Sequence, residues 1–361
     1  MDPALESHTD ILACPDCRGA LRSMRTNDGL RGLSCPQCSL VFPIKEDIFI
    51  LLPRNARSSA LENDLLVDLE RSFSESSSQE IAGALGNTLR LINESPRRKT
   101  WEWEDEEFWA NEYSAESEAI SEKNWNDRIW QRDFLIDGLL KETTLSGKTI
   151  LDCGCGEGQD FRNLMARHCD EATLYVGADI SFDGLRLNRK RNPCKNSLYV
   201  LCSADWLPFK KGAFDVICYF GILHHTFRKS ETIRTGSELL RAYGHMLIHE
   251  PLDRPSPIPE SLKGGGPEAA HEETVDKRTL LGDIGAAGDL TVVSTREFMT
   301  ILYGGMMRFF RSSLIRNETA FRLVVRSDMS LTKILGPAIP YFRPREIMLL
   351  VRKGALTAHR Q

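Results

Sequence analysis

From Lys148 onward the chain alternates between two textures, and that alternation restricts its fold more than any other feature. Short β-branched and aromatic runs, "KTILDCG", "TLYVGADI", "SLYVLCSA", "FDVICYFG" and "HMLIHE", are mostly separated by polar segments of helical character. Runs this apolar need cover on both sides. They predict strands of a mostly parallel sheet, each joined to the next through a helix packed on one face. "LTVVSTREFM" and "REIMLLVRK" are candidates for two last strands. The fold class expected is α/β, a doubly wound sheet.

The first of these runs ends in "LDCGCGEG", which places Gly154, Gly156 and Gly158 at every second position after Asp152. Glycine permits a tight turn and lets a ligand approach the backbone. A strand-to-helix turn in a parallel sheet is where nucleotide-like ligands sit. The spacing is Gly-x-Gly-x-Gly rather than Gly-x-Gly-x-x-Gly. That favours a ligand with no pyrophosphate for a helix N-terminus to grip, while a nicotinamide enzyme remains open. Asp179 ends the second run about 20–25 residues further on, where a carboxylate can accept hydrogen bonds from a ribose. The bland readings are a strand-end turn for Asp152, a helix N-cap for Asp179 in "DISFDG", and simple core packing for Ile180 and Phe220. Cys153 and Cys155 read as small buried residues, and Cys169, Cys194, Cys202 and Cys218 as ordinary thiols.

A second signature lies near the start. "CPDC" at Cys14–Cys17 is followed by "CPQC" at Cys35–Cys38. Two such knuckles match the spacing of a four-thiolate zinc site, with iron or a redox pair as the alternatives. Four cysteines leave no position for water, so the ion is expected to be structural. So small a unit has little core, and metal binding is expected to supply much of its folding energy. The following "VFPIKEDIFILLP" alternates like a short hairpin.

No basic-then-apolar signal pattern opens the chain, and no apolar run approaches the roughly 18 residues that span a bilayer. A cytoplasmic location with reduced thiols is therefore expected. The formal net charge of -5 argues against a protein that coats nucleic acid along its whole surface. The charge is uneven, however. From Glu102 to Asp127 there are ten acids against one lysine, and from Ile301 to the end eleven Lys/Arg against three acids. The first segment would repel phosphates, and the second would attract them.

Taken together and in order, the glycine loop, "GADIS", "CSADWLPFKKGAFDVI" and "FGILHH" resemble the class I S-adenosylmethionine-dependent methyltransferases of the type 11 group, over roughly residues 125 to 295. "ILACPDCRGAL" and "LSCPQCSLVFPIKEDIFILLP", across residues 11 to 53, resemble the zinc ribbons that serve methyltransferases as separate activator subunits or as N-terminal fusions. The resemblance implies a Rossmann-like sheet with a small N-terminal zinc ribbon. Residues 1–54 would form the ribbon, 55–100 a linker with short helices, and 101–361 the methyltransferase domain. It also implies a cofactor site. Gly154, Gly156 and Gly158 would line the methionine and ribose, and Asp152 would orient the loop and reach the amino group through water. Asp179 would bind the ribose hydroxyls, with Ile180 against the adenine. Ser203, Ala204 and Asp205 would border the adenine edge, and Phe220 and Gly221 would form the floor near the sulfonium. Ser203 stands where the family commonly carries an acid, which weakens the expected adenine contact.

A sulfonium already carries a good leaving group, so the enzyme must mainly align an acceptor. An oxygen or carbon acceptor also needs a base. His224 and His225, after the fourth strand, are the candidates, with a packing role as the alternative for each. His249 and Glu250 end the fifth strand and are expected to help close the pocket. "FGILHH" carries no Asn-Pro-Pro-Tyr, which counts against exocyclic base amines. Selectivity is expected from the tryptophan- and acid-rich stretch 101–132 and from the insert at about 299–340. That insert reads either as an extra helix pair with an arginine-rich outer face or as a lid for an amphiphilic or anionic acceptor, with peripheral membrane contact fitting the same residues. The expected acceptor is a small molecule, lipid-linked or glycosylated species included. The competing reading is a zinc-ribbon rRNA guanine methyltransferase, against which the charge-balanced ribbon counts.

Overall fold

A computed structural model describes residues 8–25, 31–53, 71, 83–84, 86, 129–158, 173–252, 275–298, 306, 317–339 and 342–355. Among these residues, eleven strands form one sheet. β1 (Arg22–Arg25), β2 (Arg31–Ser34), β3 (Val41–Lys45) and β4 (Ile48–Ile50) come from the cysteine-punctuated segment. β5 (Thr149–Cys153), β6 (Leu174–Asp179), β7 (Ser197–Leu201), β8 (Phe214–Phe220), β9 (Leu240–Pro251), β10 (Leu290–Phe298) and β11 (Glu346–Lys353) follow. The spatial order is β1-β2-β3-β4-β7-β6-β5-β8-β9-β11-β10. Every pairing from β4 to β9 is parallel, while β1 to β4 pair antiparallel and β11 and β10 close the far edge antiparallel. The helices whose bounds are described are α1 (Ile129–Glu142), α2 (Phe182–Arg191), α3 (Lys229–Leu239), α4 (Lys277–Ala286) and α5 (Glu318–Leu335).

Both faces of the sheet are covered, as the apolar runs require. Ile150, Tyr175, Tyr199, Val216, Leu247 and Met348 point to one side, where Phe134 and Leu139 of α1, Leu185 of α2 and Phe321 of α5 meet them. Leu151, Val176, Val200, Ile217, Ile248 and Leu349 point to the other, against Ile233 of α3 and Ile284 of α4. The period of two in the sequence thus sorts neighbouring residues into two cores. Each fully buried aliphatic or aromatic side chain contributes about 1.5–3 kcal/mol by transfer from water.

The cysteine-bearing segment is continuous with this sheet. β4 pairs in parallel with β7, setting Ile48 opposite Tyr199, Phe49 opposite Val200 and Ile50 opposite Leu201. Its alternation continues that of the neighbouring strands, Ile48 and Ile50 to one core, Phe49 and Leu51 to the other. The expected hairpin is β3–β4, turned by Glu46 and Asp47 at φ 49° and 59°, the twist that suits a two-residue connection. Arg18 fastens the first knuckle across the junction. Its Nη1 donates to the carbonyl of Leu207 at 2.6 Å and its Nη2 to that of Phe209 at 2.9 Å.

Two details depart from the sequence reading. β9 begins at Leu240 rather than near His245, and the extra length is accommodated by Tyr243 at φ 62° where the register against β8 shifts. The cap of α2 is Ser181, which accepts from the amide of Gly184, rather than Asp179. The boundaries expected near residues 54 and 100, most of the 55–100 linker, the stretch 101–128 and Cys169 lie outside the described residues. No described helix is long and apolar enough to cross a membrane.

Candidate functional site

Parallel strands bring β5, β6, β8 and β9 to one edge by their carboxyl ends, and the chemistry-bearing residues gather there. Gly154, Gly156 and Gly158 all have positive φ, at 70°, 48° and 82°. A Cβ on Gly154 would lie 2.6 Å from Ile222 Cδ1, so the turn after β8 rests directly on this backbone. Asp179 ties the loop to β6. One carboxylate oxygen accepts from Gly156 N at 2.7 Å and the other from Ser181 N at 2.8 Å. Burial raises its pKa, against the pull of those amides. Asp152 is buried beneath the loop and accepts from the Tyr175 hydroxyl at 2.8 Å. Burial pushes its carboxyl up to about 6, although the Tyr175 hydroxyl and the Arg132 guanidinium pull it down. Glu157, between two of the glycines, is also buried and ion-pairs with Arg191 at the end of α2.

The turn after β8 carries the two histidines. Glu250, fully buried at the end of β9, organises it. One oxygen accepts from Ile222 N at 3.0 Å and Leu223 N at 2.8 Å. The other accepts from His224 N at 3.3 Å and lies 2.7 Å from His224 Nδ1. A carboxylate facing Nδ1 puts the imidazole proton there and leaves Nε2 as the basic atom. The His224 ring lies beside Gly221, whose Cβ, if present, would be 3.8 Å from His224 Cε1. His225 sits 3.8 Å away, ring centre to ring centre. Burial, with His224 and Lys229 nearby, pushes its pKa down to about 3, so it is neutral at ordinary pH. A third group faces these. Arg132 of α1 is buried, with its guanidinium 4.8 Å over the Phe220 ring and Nε donating to His249 Nδ1 at 3.4 Å. His249 Nε2 in turn lies 2.7 Å from Glu346.

Ser203, Ala204 and Asp205 follow β7 in a single helical turn capped by Ser203. Asp205 is occupied with that corner, accepting from Thr232 Oγ1 at 3.0 Å and Phe227 N at 3.4 Å. Ile180 and Phe220 both pack against the core.

The four cysteines form a separate centre. Both knuckles use the same backbone. Cys14 N donates to Gly19 O and Arg18 N to Cys14 O, while Cys35 N donates to Leu40 O and Ser39 N to Cys35 O. Arg18 and Ser39 hold equivalent left-handed conformations at φ 62° and 60°. The sulfurs of Cys14 and Cys38 are 3.6 Å apart and those of Cys17 and Cys35 3.4 Å, with all four within 4.8 Å of one another. A tetrahedral ion with bonds of about 2.3 Å spaces its sulfurs by about 3.8 Å, so this set could hold one.

Against known proteins, a methyltransferase-domain family profile matches residues 151–248, from β5 to β9, and a Trm112p-like profile matches residues 6–47. Residues 151–248 are thus similar to the methyltransferase-domain family, and the cysteine-bearing unit on their N-terminal side to the Trm112p-like family. The ubiquinone/menaquinone biosynthesis C-methyltransferase of Wigglesworthia glossinidia brevipalpis is 28% identical over 38% of this chain and 53% of its own length. The phthiotriol/phenolphthiotriol dimycocerosates methyltransferase of Mycobacterium leprae is 30% identical over 29% of this chain and 38% of its own. The chain thus spans about half the length, or less, of these curated relatives. A UPF0434 protein of Dechloromonas aromatica is 44% identical over 13% of this chain, which is 78% of that relative.

The structure brings Asp152, the glycines, Asp179, Phe220, Gly221 and buried His224 to one edge, with half-buried His225 beside His224. Sequence reasoning missed Arg132, Glu157, Tyr175 and Glu346 and underweighted Glu250. Only Glu157 had a visible signal, an acid set between loop glycines. The others act across the sheet, where no local pattern announces them.

Proposed function

We propose that the chain is an S-adenosylmethionine-dependent methyltransferase acting on an oxygen or carbon of a small-molecule acceptor, with His224 as general base and the four cysteines holding a structural zinc. The observation that carries this reading is the contact of His224 Nδ1 with buried Glu250 beside Gly221. A nitrogen acceptor with a free lone pair needs no such base, whereas a hydroxyl or an acidic carbon does. The relatives named for quinone C-methylation and for a lipid methyl transfer agree in acceptor class.

The donor set suits the cofactor. Buried carboxylates at Asp152 and Asp179 match an ammonium and a ribose diol, and the glycine backbone admits close approach. Ile180 would lie against the adenine, bordered by Ser203, Ala204 and Asp205, with Phe220 and Gly221 near the sulfonium. Bound S-adenosylmethionine would supply an electrophilic methyl group. His224 Nε2 takes the proton that the acceptor loses, and Glu250 stabilises the imidazolium that results. Arg132 and the buried turn keep water from the reacting edge.

The test is transfer from methyl-labelled S-adenosylmethionine into fractionated cell extract. Label in the small-molecule or lipid fraction is expected. Label in RNA would replace this reading with that of a ribbon-containing rRNA methyltransferase. Metal content near one zinc per chain is expected from elemental analysis.

A further inference from the structure

Most apolar side chains of α5 are spent on the core, but not all. Phe321 and Val325 are fully buried against the sheet and α1. Leu323 and Ile334, three turns apart, stand on the opposite face at 65% and 71% exposure, and Ile339 just beyond is exposed too. Three of the five large apolar side chains exposed among the described residues thus fall within this one segment. Arg326 and Lys333 are exposed on the same side as Leu323 and Ile334, with Ser327 and Ser330 between them. Arg343 adds a further exposed cation before β11. Asp328, the acid in the middle of α5, is buried. A helix with a buried apolar stripe does not need a second one facing water, least of all one flanked by cations.

We infer that the outer face of α5 docks on an anionic lipid bilayer, with Leu323 and Ile334 entering the headgroup boundary and Arg326 and Lys333 meeting lipid phosphates. Charge complementarity selects this occupant. A neutral protein partner would leave the cations unmatched, and a nucleic acid would leave two branched side chains in water. The placement is productive. The chain leaves α5 at Leu335 and enters β11 at Glu346, opposite Pro251, on the sheet edge where Glu250 holds His224. The C-terminal end of a docked α5 therefore leads directly into the strand that borders the reacting edge. Docking stands apart from the methyl-transfer reading, because it is read without any transfer.

The experiment is sedimentation of the full chain with vesicles of phosphatidylcholine alone or of equimolar phosphatidylcholine and phosphatidylglycerol. Partition into the anionic vesicles only is expected, weakening as salt rises. Each basic residue near such a surface is worth about fivefold in partition, so Arg326→Gln with Lys333→Gln should lower it about 25-fold. Leu323→Ser with Ile334→Ser should lower it at least about tenfold. All four positions face outward, and unchanged S-adenosylmethionine affinity and an unchanged thermal transition check that the fold persists; Arg326→Gln alone, with about a fivefold effect, serves as a minimal variant. Equal partition into both vesicles, no partition, or variants that sediment like the parent would overturn the inference. So would loss of RNA binding, rather than of vesicle binding, in the arginine and lysine variants.

Discussion

The cysteine centre and the reacting edge are built on opposite plans. The cysteines are aimed by backbone, through two copies of one knuckle, into a cluster that could hold an ion. At the reacting edge, buried carboxylates do the organising, and each already has protein partners: Tyr175 for Asp152, backbone amides for Asp179 and for Glu250. The first centre offers a place for an ion, while the second is held together by the protein itself. The difference says which perturbation each should tolerate.

Metal removal is the harshest way to break this contrast. Apparent binding energies of structural zinc are about 10–16 kcal/mol, so chelation, or Cys35→Ser, should unfold the knuckles. Amide exchange at Ile48–Ile50 and along β7 should then accelerate, since these strands share hydrogen bonds. If β4 stayed protected after chelation, the cysteine unit would be self-supporting and the contrast would collapse.

Next in size is the base. His224→Gln should cut kcat about 10²–10⁴-fold with cofactor affinity unchanged. His225→Gln should change kcat only a few-fold, because His225 is held neutral and is no proton acceptor at ordinary pH. Equal losses in the two variants would remove the assignment of roles.

The pH dependence of stability comes third. The Asp152 carboxyl is raised from 3.8 to about 6, so its stabilising contribution is complete below 3.8 and lost as pH rises through about 6. The loss is about 3 kcal/mol at most. His225 works in the other direction. Its pKa is depressed, so its contribution is complete above 6.5 and is lost as pH falls toward 3. Denaturant titrations of cofactor-free Asp152→Asn and His225→Gln should therefore show changes of opposite slope in the overlapping window. Matching slopes would mean that the two groups are not buried as described.

The smallest effect expected is that of Asp179→Asn, which keeps one acceptor oxygen and loses the charge. Calorimetry with S-adenosylhomocysteine should show affinity down about tenfold. An unchanged Kd would leave Asp179 as a loop fastener only.

What the sequence made legible was whatever a local period or spacing can encode. The strands from Thr149 to Glu250 were visible because alternate residues must enter two cores, and the knuckles because four thiolates need their spacing. The alternative of Asp179 as the cap of α2 is settled only by the geometry, in which Ser181 caps and Asp179 is drawn to Gly156. Glu250 reaching Ile222 and Leu223, and Arg132 reaching His249, join residues far apart in the chain. The union of β4 with β7 was equally hidden, since "DIFILL" alternates in the same way whether its edge meets water or another strand.

That union also changes where the sheet can be attacked. Without the cysteine unit, β7 would be a bare, apolar strand with unpaired amides, the kind of edge on which identical chains stack. With it, the terminal strand becomes β1, four residues long with exposed Arg22 and Arg25. The opposite terminus, β10, is interrupted by an irregularity between Val292 and Ser294 and carries Arg296 and Glu297. Among the described residues, both ends of the eleven-strand ladder are thereby left short, bent or charged, features that disfavour edge-to-edge stacking.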